Sequence, residues 1–534
     1  MSHRRKKFLS AGLAGVLCST ALFGLTPAHA DGKNNLHLPG MQDRHHSPNN
    51  SFTRMFPELP PFAPPTDAAR DQAKKLGEKG GLIDALDDLS DPVLSITDPT
   101  RSLNNPDNPS MTAGMTFFGQ FLDHDITLDP RSPLLEKSNP SKTTNFRTVA
   151  FDLDSVYGDG PEASPELYDV SSGDIKLRVE PIPGSEAVSR KGAVRFDLPR
   201  DPNNNAILGD SRNDEHVILA QFHLAMLRFH NAVIDHLHAD PSHADQSAER
   251  IFKMAQRQVR WHYQWIILHE FLPLTIGQER VDDILKKGLR FYEVDKKSDP
   301  LIPIEFSVAA YRFGHSQIRP SYRLNFGPTG GSPVFTFLFD DTQDPNDSDP
   351  NDMRGGKRAP RRFVDWQTFF NFGDGNFRNN KQIDGKLSSV VMLLPGSRKP
   401  APGLPADGVQ SLASRNLMRH VNFGIPSGQA IARRMGLPVL TATQLEALTP
   451  FGMEKSTPLW FYILKEAELM EKGLRLGPVG SRIVGEVFIG LLKADDTSYL
   501  AARPNWTPVL PSATPGEFRI TDLLTFAGVV PPLN

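Results

Sequence analysis

Cysteine is almost absent from this sequence. Among 534 residues there is one cysteine, Cys18, and it lies within the first thirty residues. The rest of the chain therefore has no side chain for a disulfide, a thiolate-bound metal or a catalytic thiol. An excess of one charge is also lacking, because 59 basic and 62 acidic residues give a formal net charge of −3. This balance gives no electrostatic reason to expect nucleic acid as a partner.

Long apolar runs are missing beyond the N-terminus. Residues 1–30 begin with a positive stretch at 4–7, continue with an apolar stretch at 8–25 and end in Ala-His-Ala at 28–30. This is the pattern of a signal peptide, and cleavage is predicted after Ala30. An uncleaved membrane anchor is the alternative. Secretion or a periplasmic location is therefore expected, with no stable membrane span after cleavage and with Sec or twin-arginine export both open.

Alternation of strands and helices, which parallel α/β folds require, is missing as well. Residues 31–110 are proline-rich and predict an extended arm that wraps a core, with one helix near 67–90; disorder is the alternative. From Met111 the apolar spacing becomes helical and predicts helices near 214–238, 243–271, 303–317, 409–434, 443–447 and 457–471. We therefore expect a mainly α fold with little β structure and one catalytic domain over residues 111–534.

The most informative segment is residues 117–125, which read FFGQFLDHD. On a helix, Gln120 and His124 share one face. The imidazole of His124 suits acid–base chemistry because its ordinary pKa lies near neutral pH. Taken alone, a histidine between two aspartates is more often a surface or internally satisfied residue.

Four other segments give this histidine a context. They read FDLDSVYG at 151–158, GDSRNDE at 209–215, AAYRFGHSQI at 309–318, and LASRN at 412–416 followed by GIPSG at 424–428. In this order the five segments resemble the animal-type haem peroxidases of the peroxidase–cyclooxygenase superfamily. The resemblance runs from about residue 111 to about residue 485. The absence of cysteine after the leader and the single module are typical of a bacterial secreted member.

The resemblance implies a helical fold around a buried b-type haem. His124 would be the distal histidine, which takes a proton from hydrogen peroxide and passes it to the leaving oxygen. Arg212 would stabilise the charge that develops beside it, and Gln120 would line the distal pocket. His315 would be the proximal iron ligand and Asn416 would accept a hydrogen bond from its other ring nitrogen.

The resemblance also implies contacts with the haem periphery. Arg312 would pair with a haem propionate. Asp123 and Glu215 match the two carboxylates that can form ester bonds to haem in this family, so covalent haem is possible here. A sulfonium bond is not expected, because His216 stands where that bond requires methionine.

A calcium site is a further implication of the resemblance. Asp125 would supply one carboxylate, and the following loop would supply Thr148, the carbonyl of Ala150, Asp152 and Asp154. Several oxygen donors suit this hard cation. The family often has serine at the last position, and Asp154 adds a negative charge there.

The expected activity is the reduction of hydrogen peroxide with a halide, a pseudohalide or a small phenolic donor, and the oligomeric state is open. A fatty-acid dioxygenase of the same superfamily is the first alternative. Those enzymes carry a radical-forming tyrosine three residues before the proximal histidine, where this chain has Arg312, with Tyr311 on a different helical face. A non-catalytic haem-containing adhesion protein is the second alternative, although the chain keeps Gln120, His124 and Arg212.

Overall fold

The computed structural model of the protein describes residues 50–98, 102, 104–173, 175–294, 299–395 and 407–530. The predicted signal peptide, residues 1–30, and residues 31–49 of the predicted arm lie outside these ranges. The described residues that follow the arm fold around one continuous apolar core.

The described ranges are mainly α-helical, as predicted. In chain order their α-helices are α1 (Asp67–Gly77), α2 (Pro92–Thr97), α3 (Gly114–Ile126), α4 (Asp154–Tyr157), α5 (Ser185–Val188), α6 (Val217–Ala239), α7 (Ala248–Ile266), α8 (Leu272–Ile276), α9 (Gln278–Lys287), α10 (Leu412–Phe423), α11 (Gly428–Met435), α12 (Leu459–Glu471), α13 (Pro478–Ala494), α14 (Tyr499–Ala502) and α15 (Ile520–Phe526). The longest of these form the core and carry or support the site described below.

Named β-strands in the described ranges are limited to three short antiparallel pairs. Strand β1 (Asp107–Thr112) pairs with β6 (Asn379–Lys381), β2 (Glu180–Pro181) with β3 (Phe196–Asp197), and β4 (Ser321–Asn325) with β5 (Val334–Phe337). The expectation of little β structure is therefore confirmed.

Helices α6 and α13 lie in the centre of the core. Residues 217–227 of α6 and residues 483–492 of α13 are all buried. Sequence analysis predicted a helix over α6 but none over α13. Helix α6 is also long and apolar enough to cross a membrane, but 83% of its most apolar stretch is buried within the fold, as in other core helices.

Three predicted helices are interrupted. The helix predicted over 409–434 is α10 and α11, which are separated by residues 424–427. The helix predicted over 243–271 is α7 followed by a π-helical turn at Ile267–Phe271. The helix predicted over 303–317 is a π-helical turn at Glu305–Ala309 followed by a 3₁₀ helix at Ala310–Gln317, and the backbone leaves helical geometry at Ala309. The side chains around His315 therefore do not follow α-helical spacing.

Other predicted boundaries also differ from the structure. The helix predicted near 67–90 ends at Gly77, before the Gly80–Gly81 pair, where Gly80 has a positive φ of 76°. The helix predicted at 443–447 is a longer 3₁₀ helix, Thr443–Phe451.

Residues 50–77 lie against the helical core through main-chain contacts. Glu305 is fully buried and accepts hydrogen bonds from the backbone N–H groups of Met55 and Phe56, at 2.9 and 3.2 Å. The N–H of Phe62 donates to the carbonyl of Ile425 at 2.9 Å. Helix α1 approaches α10 so closely at Gly77 that a Cβ there would lie 2.4 Å from the nearest main-chain atom of α10.

Candidate functional site

Asn213 orients the imidazole of His124. The Nδ1 atom of His124 lies 2.8 Å from Oδ1 of Asn213, whose amide nitrogen is 3.0 Å from Nδ1 of His223. In this arrangement Nδ1–H of His124 donates to Asn213, so Nε2 keeps a lone pair. Burial, and then the charge of Arg212, hold the pKa of His124 well below its usual value. The imidazole is therefore neutral at neutral pH and can accept a proton at Nε2.

Arg212 lies beside α3 in the short 3₁₀ helix Ser211–Asp214. Its Nη2 donates to the carbonyls of His124 and Thr127, at 3.2 and 2.6 Å, and its guanidinium is paired with Asp210 at 2.7 Å. Burial alone would raise the pKa of Asp210, but Arg147 and Arg212 hold it well below its usual range. The structure thus brings Arg212 to the main chain of α3 and holds it there by the ion pair with Asp210.

His216 and Glu215 hold the amide of Gln120. The N–H of Leu219 donates to Nδ1 of His216, so its Nε2–H donates to Oε1 of Gln120 at 3.0 Å. The amide nitrogen of Gln120 then points to Oε2 of Glu215 at 3.4 Å. Burial lowers the pKa of His216 to about 3, so this histidine stays neutral. His216, which stands where a sulfonium bond requires methionine, therefore orients Gln120. This contact was not predicted from the sequence.

Asp123 lies next to this distal group. Its Oδ1 accepts a hydrogen bond from Oγ1 of Thr127 at 3.0 Å. Burial raises the pKa of Asp123, against the opposing charges of Arg312 and Arg212. The carboxyl of Asp123 thus lies close enough to Arg212 and to Arg312 for the charges of both to affect its pKa.

His315 lies in the 3₁₀ helix that follows the π-helical turn. Its Nδ1 is 2.8 Å from Nδ2 of Asn416 on α10. Arg312 donates to Oδ1 of the same amide at 3.2 Å and to the carbonyl of Ser307 at 2.9 Å. Asn416 is therefore beside His315 as predicted, but its nitrogen faces the ring, whereas the prediction required its oxygen. The two atoms exchange places by a half-turn of the amide. The predicted contact of Arg312 with a haem propionate stays a prediction.

The residues of the site fit a buried prosthetic group. The hydroxyl of Tyr311 donates to the carbonyl of Gly119 at 3.0 Å and joins the segment of His315 to α3. A Cβ added at Gly314, the neighbour of His315 in the chain, would meet no atom within 4 Å. Most of α3 is buried, yet Gly119, Gln120 and Asp123 keep accessible surface. A histidine on one segment, with amide and charged side chains on the helix that this segment contacts, is a suitable donor set for haem.

Three carboxylates converge close to His124. One oxygen from each of Asp125, Asp152 and Asp154 lies within 4.8 Å of the others. Oδ1 of Asp125 is buried and has no hydrogen-bond partner among the described residues, while its Oδ2 accepts from Tyr263 at 3.1 Å. Burial, followed by the charges of the other two aspartates, raises the pKa of Asp125 well above its usual value. A cation bound here would remove this repulsion, and oxygen donors favour calcium.

The loop over residues 148–153 shapes this cluster. Thr148 donates through its hydroxyl to Asp152 at 2.8 Å and through its N–H to Asp154 at 3.4 Å, and Ala150 lies between them. Leu153 has a positive φ of 60°, in the left-handed region. This backbone conformation turns the chain between the two aspartates.

Arg147 is a buried residue of the candidate site that was not predicted from the sequence. It contacts Asp154 and Asp210, both at 3.1 Å. The charge that Asp154 adds to the expected calcium site is therefore matched by a neighbouring guanidinium. A basic residue directly before Thr148 was the available signal, but spacing alone could not show that its chain turns inward.

Comparisons with known proteins agree with this arrangement. The "Animal haem peroxidase" family model matches residues 131–336. A peroxidase-like protein of Margaritifera margaritifera is 26% identical over 77% of this chain and 57% of its own length. The chorion peroxidase of Aedes aegypti is 25% identical over 73% of this chain and 46% of its own length. The chain thus spans about half the length of these relatives.

Solved structures extend the similarity of fold over most of the chain. Peroxidase A from Dictyostelium discoideum has a TM-score of 0.53 at 18% identity, covering 86% of this chain and 91% of its own. A fatty acid α-dioxygenase of Arabidopsis thaliana has a TM-score of 0.55 at 13% identity, covering 90% and 76%. The helical fold of this chain is therefore similar to the folds of this peroxidase and this dioxygenase. The sequence similarity to the animal haem peroxidase family extends over residues 131–336, which the family model matches.

Proposed function

We propose that this protein is a haem peroxidase that reduces hydrogen peroxide and oxidises a halide, a pseudohalide or a small phenolic donor. The observation that carries the proposal is the neutral imidazole of His124, whose Nε2 is left free to accept a proton by the hydrogen bond from Nδ1 to Asn213. The helix that carries this base, α3, is joined to the segment of His315 by the hydrogen bond from Tyr311 to the carbonyl of Gly119. Haem, when bound, supplies the iron that binds peroxide and exchanges electrons with it.

The residues of this chain would share the remaining work. His124 accepts a proton from peroxide at Nε2 and returns it to the departing oxygen. Arg212, held by Asp210, supplies a fixed positive charge beside this transfer. Gln120, held by His216, presents an oriented amide to the donor side of the pocket.

His315 would hold the haem iron through Nε2. For this, Nδ1 must carry the hydrogen, so Asn416 would present its oxygen and Arg312 would turn from the amide toward a haem propionate. The accessible surfaces of Asp123 and Glu215 make both carboxylates available for ester bonds to the haem periphery. Mass spectrometry of the denatured, acid-extracted protein distinguishes a covalent haem adduct from free haem.

Absorption spectroscopy tests the central proposal. Protein expressed with haem should show a Soret band that changes on addition of hydrogen peroxide and recovers after addition of a phenolic donor. H124A should keep haem and react with peroxide about 10²- to 10⁴-fold more slowly, as expected for loss of a general acid–base. H238A, which removes an exposed histidine at the end of α6, is the matched control and should react normally. Folded protein without a Soret band, or an unchanged rate in H124A, would contradict the proposal.

Fatty-acid dioxygenation is the second candidate, and the fold similarity to α-dioxygenases favours it. Tyr311 is buried, but its hydroxyl donates to Gly119 and burial raises its pKa well above the usual value. Oxygen uptake with a sixteen-carbon fatty acid distinguishes the two activities. We expect no uptake above that of Y311F.

We further propose that the protein is exported after cleavage at Ala30. The signal-peptide pattern of residues 1–30 supports this location. N-terminal sequencing of the protein recovered from the periplasm or medium should begin at Asp31.

A further inference from the structure

A cavity lies apart from the residues of the candidate site. It has a volume of about 180 Å³ and is partly open to solvent. Its walls come from residues 193–196, from one side of α6, from residues 364–366 and from residues 528–529. The apolar part of the wall includes Phe196, Leu224, Val364 and Trp366. The cavity is large enough for a small ring-bearing ligand.

Two arginines give this cavity an unbalanced positive charge. Arg195 is paired with buried Asp365 at 2.6 Å. Arg228 lies over the ring of Phe196, 4.8 Å from its centroid. Among the described residues, Arg228 forms no ion pair and no hydrogen bond. Burial, and then the charge of Arg195, lower the pKa of Arg228. An arginine side chain nevertheless stays protonated at neutral pH.

The chemistry of the walls restricts the ligand. A half-buried guanidinium presents a fork of donors that matches a carboxylate. Strongly hydrated inorganic anions need several polar partners to replace their water, and the side chains of Phe196, Leu224 and Val364 supply none to a charged oxygen. A flat apolar body, in contrast, gains from burial against the rings of Phe196 and Trp366.

We propose that this cavity is a binding site for a small aromatic monocarboxylate. The carboxylate would pair with Arg228, and the ring would lie between Phe196 and Trp366. Binding would not require haem, because no residue of the candidate haem site lines the cavity.

Isothermal titration calorimetry with benzoate tests the site. Benzoate should bind the full protein with the same affinity before and after haem loading, whereas neutral benzamide and inorganic phosphate should bind at least tenfold more weakly. Equal affinity for benzamide, or tighter binding of phosphate, would overturn the proposed ligand class.

Substitutions at Arg228 locate the binding. R228Q should weaken benzoate binding at least tenfold, because it removes the charge that pairs with the ligand. R228K keeps the charge without the fork and should bind with intermediate affinity, and R250Q, at an exposed position on α7, should bind as the unchanged protein does. If R228Q does not fold by circular dichroism, R228K decides. If R228Q still binds benzoate and R212Q does not, the ligand lies in the candidate haem site and the inference is overturned.

Discussion

The hydrogen bond between His124 and Asn213 decides which imidazole nitrogen can accept a proton. With Nδ1–H donating to Asn213, Nε2 is the base. N213A removes this constraint while leaving His124 in place. We expect haem to be retained and the reaction with peroxide to slow on the order of tenfold to a hundredfold, because a mispositioned base loses part of its advantage. Stopped-flow absorption measures the rate.

A matched control for N213A is N371A, which removes an exposed asparagine outside the site. N371A should react like the unchanged protein. A normal rate in N213A would mean that the orientation of His124 does not depend on this amide.

Sequence reasoning at this scale named residue types better than it named contacts. Gln120, His124 and the three aspartates of the acidic cluster could be predicted because their chemistry is carried by short contiguous motifs. The roles of Asn213 and Arg147 could not be predicted, because an asparagine or an arginine at a surface position would look the same in the sequence. Their roles depend on burial and on partners about sixty to ninety residues away in the chain.

At the scale of elements, the acidic loop and the distal helix are linked by Arg147. The three aspartates lie on one side of this guanidinium, and Asp210, which holds Arg212, lies on the other. We therefore expect calcium removal to affect both stability and peroxide chemistry. At a calcium concentration of about one hundred times Kd, the bound ion should add about 2.7 kcal/mol to the free energy of unfolding.

Thermal unfolding with calcium and with a chelator measures this effect. The chelated protein should unfold at a lower temperature and react more slowly with peroxide, and D152N should respond little to calcium. D347N, which changes an exposed aspartate between β5 and β6, is the control and should keep the full response to calcium. Identical curves with and without calcium would contradict the metal assignment.

Glu466 on α12 holds the first turn of α13. Its carboxylate accepts hydrogen bonds from the N–H groups of Val479 and Gly480, at 2.9 and 3.3 Å. Burial raises the pKa of Glu466 to about 8, from an ordinary value of 4.5. Between these values the folded protein keeps a proton that the unfolded chain releases. Its contribution to stability is therefore present below pH 4.5 and is lost as the pH rises toward 8.

Urea unfolding across this pH range tests the role of Glu466. The protein should lose stability with a slope of at most about 1.4 kcal/mol per pH unit from this group. In E466Q the titrating proton is gone, so its stability should depend less on pH, whereas E468Q on the same helix should behave like the unchanged protein. A pH profile of E466Q that parallels the unchanged protein would assign the dependence to other groups.

At the scale of the whole molecule, apolar periodicity predicted the helical class and the helices α6, α7, α10, α11 and α12. It missed α9 and α13, and it merged segments at Ile267–Phe271 and Glu305–Ala309 because a π-helical turn shifts the phase by about one residue. The haem position that we propose requires that α3 approach the segment of His315. These segments are almost two hundred residues apart, and no local pattern specifies their contact.

The N-terminal segment and the π-helical turn before His315 meet at Glu305. Its two carboxylate oxygens accept from the backbone N–H groups of Met55 and Phe56, and all three residues are buried. In E305A these donors lose their partner without access to water. Each unsatisfied buried donor costs about 1–3 kcal/mol, so the loss of a partner for two donors should lower the free energy of unfolding by about 2–6 kcal/mol.

The same substitution should also expose the segment itself, because these contacts hold its middle to the core. Limited proteolysis of E305A should cut within residues 50–66 sooner than in the unchanged protein. E58A, which removes an exposed partner of Arg434 on the same segment, is the control and should change neither stability nor cleavage. If E305A and E58A unfold and are cleaved alike, the attachment of the segment depends on its apolar contacts, such as those of Phe56 and Phe62, and not on Glu305.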